Sequence, residues 1–111
     1  MKSKAVIDAL SALANEHRLA VFRLLVQAGP EGQPAGAIAE ALDLPASSLS
    51  FHLAHLNRAG LITQSRDGRS LIYAADFTAM NGLVGFLTEN CCGGASCAPA
   101  VAPTQKKRKA S

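Results

Sequence analysis

The sequence predicts a single, mainly α-helical domain closed by one small β-hairpin. Apolar residues recur at helical spacing in four successive segments between Val6 and Ala59. Asp67-Gly68 then separates two short strand-like runs, a strong hairpin signal. A fifth helical segment follows Asp76. The chain has 111 residues, room for one domain and not comfortably for two. Its composition is 49% apolar, enough for a packed core, but only 5% aromatic with no Trp. The core must therefore rest on Leu, Val, Ile and Ala.

Taken in order, Val6, Leu10 and Leu13 mark a first short amphipathic helix. Asn15 is a good N-cap for the second, and Glu16 suits its positive end. Leu19, Phe22 and Val26 are expected as its inner stripe with Leu25 beside it, and Gly29-Pro30 stops it. Residues 31–33 read as a loop, and Pro34 suits the opening of a short third helix with Ile38, Ala41 and Leu42 inward. Asp43-Leu44-Pro45 is a tight break. The fourth helix runs from about Ala46 to Ala59 with Leu49, Leu53 and Leu56 inside, and Gly60 ends it. Strands are expected over 61–66 and 69–74. Asp76 caps a last helix carrying Met80, Leu83, Val84 and Leu87, ending near Asn90 to Gly93. The order is α-α-α-α-β-β-α.

Several function classes fall away. No apolar run is long enough to span a bilayer, and no basic-then-apolar leader with a cleavage site opens the chain, so a cytoplasmic protein without membrane contact is expected. The formal charge of +3 is concentrated in Lys106, Lys107, Arg108 and Lys109. Without those four, seven basic residues face eight acidic ones, so the body is near neutral. Residues 1–92 are expected to form the domain and 93–111 a flexible, Cys-containing and basic tail. Such a tail can hold polyanions loosely without reading sequence. No phosphate-cradling loop carries a nucleophile, and the cysteines lie near the chain end without a nearby base, so an enzyme is not expected.

Helix three, a three-residue break and helix four make a helix-turn-helix, which presents the second helix to the major groove of DNA. Off the leucine stripe of helix four lie Ser47, Ser48, Ser50 and Phe51. Small hydroxyls approach base edges and phosphates closely, and Phe51 offers an apolar contact. Arg58 near the end of that helix suits a phosphate, and Arg66 and Arg69 flank the hairpin turn where a wing would reach backbone or minor groove. The fold class is thus a winged helix-turn-helix.

Asn15-Glu16-His17-Arg18-Leu19, Leu53-Ala54-His55-Leu56-Asn57-Arg58-Ala59-Gly60-Leu61-Ile62, Arg66-Asp67-Gly68-Arg69 and Tyr73 together resemble the ArsR/SmtB family of bacterial winged-helix repressors. The resemblance covers about Val6 to Leu87, with Ser47 to Ile62 its most diagnostic part. It implies a homodimer paired through the first and last helices, bound to double-stranded operator DNA and released by an inducer. It also implies base contacts from Ser47, Ser48, Ser50, Phe51 and His52.

The three cysteines are Cys91, Cys92 and Cys97, all within seven residues. A thiol-only cluster favours soft ions, and zinc would want a fourth ligand. Three thiolates match a three-coordinate thiophile, arsenite or antimonite, and Gly93-Gly94 can fold Cys97 back onto the vicinal pair. Many arsenic-sensing members of the resembled family carry Cys-x-Cys where this chain has Pro34 and Gly36. Zinc-sensing members use Asp and His pairs on the last helix, where 77–90 contains no His. The thiols here resemble the cluster near the end of the last helix in another arsenic-sensing branch. The expected function is arsenic-resistance repression relieved by arsenite at Cys91, Cys92 and Cys97. A redox- or persulfide-sensing repressor, or one sensing methylarsenite through two thiols, remains open. His17, His52 and His55 are read as packing or DNA-contact residues rather than metal ligands.

Overall fold

The computed structural model describes residues 1–94. Five helices are present: α1 (Ser3–Leu13), α2 (Glu16–Ala28), α3 (Ala35–Leu42), α4 (Ala46–Arg58) and α5 (Phe77–Thr88). They are joined by strands β1 (Gln33–Pro34), β2 (Ile62–Asp67) and β3 (Ser70–Ala75), and a 3-10 turn spans Cys91–Gly94. The sheet is antiparallel with order β1-β3-β2. Helices and wing thus follow the expected sequence, with one short strand added.

The helix ends are set by local chemistry. Asn15 Oδ1 accepts hydrogen bonds from the backbone N–H groups of His17 and Arg18, both at 3.0 Å, which satisfies donors that the first turn of α2 leaves open. Asp76 Oδ1 does the same for Ala79 N–H at 3.0 Å at the start of α5. α3 and α4 both end in a paired closing turn. Leu44 N–H bonds to Ala39 O and Asp43 N–H to Glu40 O, with Asp43 left-handed at φ 54°. Leu61 N–H bonds to Leu56 O and Gly60 N–H to Asn57 O. These two turns fix the angles at which α4 leaves α3 and enters the wing.

The core gathers Val21, Leu25, Ile38, Leu49, Leu56 and Leu61 as its largest fully buried side chains. No polar or charged residue is buried among the described residues. Several expected inner faces are rotated. α1 buries Val6, Ala9 and Ala12, and leaves Leu10 exposed. Alanine has so little bulk that α1 can pack close to its neighbours, while Ile7 and Leu10 turn outward. α2 buries Val21, Phe22 and Leu25, while Leu19 is exposed. On α3, Ile38 is buried and Leu42 half-buried, but Ala41 faces solvent. α5 divides its expected stripe, with Leu83 buried, Met80 half-buried, and Val84 and Leu87 outside. Each of these helices carries two apolar faces, and periodicity alone does not say which one meets the core.

Residues 31–33 are not wholly loop, because Gln33 pairs with Tyr73 and Pro34 with Ile72. Proline is tolerated on such an edge. Gly32 makes the approach possible. Its φ is +72°, and a Cβ there would strike the backbone carbonyl of Tyr73. The hairpin register is also displaced by one residue. Asp67 pairs with Ser70, so the turn residues are Gly68 and Arg69, and of these only Gly68 has a positive φ. That is the type II′ pattern rather than one requiring positive φ at both positions.

Two glycine substitutions should separate these roles in urea unfolding. Gly32→Ala is expected to lower stability by about 2 kcal/mol or more through backbone strain and disrupted β1–β3 pairing. Gly36→Ala, inside α3 with open space around its Cβ position, should raise it by about 0.5–1 kcal/mol.

Candidate nucleic-acid interface

Leu49, Leu53 and Leu56 bury one face of α4 against the core, and this decides what the opposite face presents. Ser47, Ser48, Ser50 and Phe51 are all exposed there, as the spacing implies. Arg58 is exposed in the last turn of the same helix. Beyond Ile62 every residue of β2 is exposed, so this strand is the open edge of the wing, while β3 behind it is half-buried. Arg66 and Arg69 are exposed on it, Arg66 within β2 opposite Leu71 and Arg69 in the turn itself. A helix edged by small hydroxyls is therefore joined through the closing turn at Gly60 to a wing carrying two guanidinium groups. Such a surface can enter a groove with the helix and grip phosphates with the arginines.

His52 is placed differently from the other α4 candidates. Its side chain is half-buried and turned toward α2, where its ring centroid lies 5.6 Å from that of His17. Its Nδ1 is buried without a hydrogen-bond partner. On its other side the Phe51 ring meets it edge-on at 6.0 Å. Burial, with the charges of Arg18, His17 and His55, lowers the His52 imidazole below its ordinary value. Burial, Arg18 and Arg58 lower His55 likewise. His52 is thus first a packing residue between α2 and α4.

Arg18 is a positioning residue that helical periodicity did not single out. Its Nε donates to the Ala12 carbonyl at 2.6 Å, so a side chain of α2 closes the end of α1. This holds a fixed positive charge beside the two histidines of α4. Nothing in the spacing of the sequence signals the arrangement, because it joins three elements.

The thiols are only partly within the described residues. Cys91 and Cys92 are exposed in the 3-10 turn after α5. Cys92 and Gly93 have left-handed backbones, with φ 58° and 67°, which turns the chain sharply past the helix. Cys97 and the four basic residues 106–109 lie outside the described residues. No group of three or more His, Cys, Asp or Glu side chains placed to hold a metal ion occurs among the described residues. No helix among them is long and apolar enough to cross a membrane.

The histidine environment has a consequence for stability. An unfolded imidazole takes up its proton near the ordinary value of about 6.5, whereas folded His52 and His55 resist it to lower pH. Below about pH 6.5 the unfolded chain therefore binds more protons, and stability falls as pH falls through this window. Thermal melts at about pH 7.5 and about pH 5.5 should show a larger loss for the wild type than for His52→Gln.

A family model described as a helix-turn-helix domain matches residues 13–65. The chain is 32% identical over 85 residues to the transcriptional activator HlyU of Vibrio cholerae, covering 77% of this chain and 75% of HlyU. It is 34% identical over 80 residues to the nodulation protein NolR of Rhizobium meliloti, covering 72% of this chain and 63% of NolR, just under two thirds of that relative. A putative arsenical resistance operon repressor ArsR of Halobacterium salinarum is 39% identical over 66 residues, covering 60% of this chain and 50% of the relative. Among solved structures, reduced HlyU from Vibrio cholerae is similar with a TM-score of 0.64 at 29% identity, covering 81% of this chain and 92% of that one. The homodimeric winged helix-turn-helix domain of Mb0332 from Mycobacterium bovis, described as a possible ArsR-family transcriptional regulator, gives a TM-score of 0.62 at 26% identity, covering 83% and 85%. The chain belongs to the ArsR family of winged helix-turn-helix transcriptional regulators.

Proposed function

We propose that this regulator is a repressor that grips operator DNA as a homodimer and releases it when arsenite, or its heavier analogue antimonite, is captured by Cys91, Cys92 and Cys97. The observation that carries the DNA reading is the joint exposure of Ser47, Ser48, Ser50, Phe51 and Arg58 on α4 and of Arg66 and Arg69 on the wing. The body has no net positive charge to attract DNA, so placement and not bulk charge does the recognition.

The outer apolar faces support the dimer. Ile7 is 64% exposed on α1, and Val84 and Leu87 are 54% and 60% exposed on α5. α1 and α5 are in contact, so these residues can contribute to one apolar flank. Two copies joined there would carry two recognition helices, as a two-fold operator requires. The homodimeric Mycobacterium bovis relative supports the same assembly.

The inducer reading rests on donor chemistry. Three thiols can replace the three hydroxyl groups of arsenous acid, each exchange releasing one water, and no harder ligand competes within the cluster. α5 ends at Thr88, three residues before Cys91. Capture there reshapes the chain directly after Leu87, on the flank assigned to the dimer, and so alters how the two recognition helices are held. The effector works only if it favours the form with weaker DNA affinity. A second reading, redox sensing by the same thiols, is favoured by a relative whose structure is described as reduced HlyU.

Operator binding, measured with arsenite, antimonite, zinc and peroxide in parallel, tests the proposal. Arsenite should release the wild type and leave the Cys91→Ser, Cys92→Ser, Cys97→Ser triple variant bound. Continued release of that variant by arsenite would remove the thiol site from the mechanism, and release by peroxide alone would select the redox reading. In the absence of effector, Arg66→Ala and Arg69→Ala should each reduce the slope of log affinity against log salt by about one for every phosphate that the arginine neutralises. Leu87→Glu should shift sedimentation of the protein toward the monomer, since it places a charge on the proposed interface.

A further inference from the structure

Phe51 is 65% exposed, more than any other large apolar side chain among the described residues. The dimer proposed above leaves it uncovered, because its interface lies on α1 and α5 and Phe51 is on α4. Its surroundings are unusual for an aromatic ring. Ser47, Ser48, Ser50 and Ala54 are its neighbours on the outer side of α4, and all are small and exposed. At 65% exposure the ring is open to a surface approaching the helix. On the inner side the edge-on contact with His52, whose rings meet at 69°, gives it a fixed support. His52 is itself held by burial against α2.

A surface that meets α4 on this side encounters hydroxyl groups surrounding one apolar ring. The edges of base pairs in the major groove carry donors and acceptors, and among the unmodified bases a single apolar group, the C5 methyl of thymine. A phenyl ring placed against any other base edge would strip water from a polar atom and return no hydrogen bond, which is costly. We propose that Phe51 is a specificity-determining residue that selects a 5-methylpyrimidine at one position of each operator half-site. In unmodified DNA that base is thymine, and 5-methylcytosine presents the same methyl group at the same ring position. The inference rests on the DNA-binding reading of α4 and adds to it the chemical group that is read.

The test uses the full chain and a duplex that the wild type selects from a random-sequence pool. Each thymine is replaced in turn by deoxyuridine, which removes the methyl group and changes nothing else on the base edge. The wild type should lose about fourfold in affinity at one thymine per half-site, the worth of one buried methyl group. Phe51→Ala should bind the selected duplex more weakly and be indifferent to that replacement. Phe51→Leu, which keeps a smaller apolar contact, should retain part of the sensitivity. Cytosine at the same position should bind weakly, and 5-methylcytosine should recover part of the loss for the wild type alone. Indifference of the wild type to every deoxyuridine overturns the proposal, as does equal sensitivity in Phe51→Ala, which would assign the methyl contact to another residue. If the wild type selects no sequence at all, the DNA-binding reading fails first and this inference with it.

Discussion

Everything that the surface does depends on how α4 is seated. Leu49, Leu53 and Leu56 occupy one side of a thirteen-residue helix and are buried with Val21, Leu25, Ile38 and Leu61. Burying a leucine stabilises by about 1.5–3 kcal/mol, so three in one stripe make any other rotation of the helix unfavourable. That seating turns Ser47, Ser48, Ser50 and Phe51 outward together. The closing turns at Asp43 and Gly60 then fix the approach to α4 and the departure into β2. The wing inherits its direction from the helix that presents this face.

The polar contacts of the interior are few and are placed where helices meet. Arg18 closes α1 through the Ala12 carbonyl and lies beside His52 and His55. Its charge helps keep both of these α4 imidazoles neutral. The α2–α4 contact supports Phe51 from behind. Core, histidine pair and exposed ring form a continuous series from α2 to the outer face of α4, and no net positive charge on the body is needed for it.

Outer apolar faces were harder to read than inner ones. Leu10, Leu19, Val84 and Leu87 fit helical stripes as well as Val6, Val21, Leu25 and Leu83 do, yet the first four face outward. A helix that serves both a core and a partner surface carries two apolar stripes with the same period. The short β1 strand was invisible for a different reason. Its partners, Tyr73 and Ile72, lie some forty residues away, and two residues are too few to show alternation. The hairpin was legible from Asp67-Gly68, but its register shifted by one because pairing across the strands decides which residues form the turn.

Local order along the chain was enough to place the helices, their caps at Asn15 and Asp76, the wing and the serine-rich face opposite the leucine stripe. These depend on contacts within a few residues, which spacing records directly. The thiol-only composition of Cys91, Cys92 and Cys97 is equally plain in the residues themselves. Other features came only from the packed molecule: α1 packs through its alanines, Gly32 lies against Tyr73, His52 faces α2, and Arg18 joins three helices. Each of those depends on which surfaces meet in space, and a chain can bring distant residues together without leaving a local pattern.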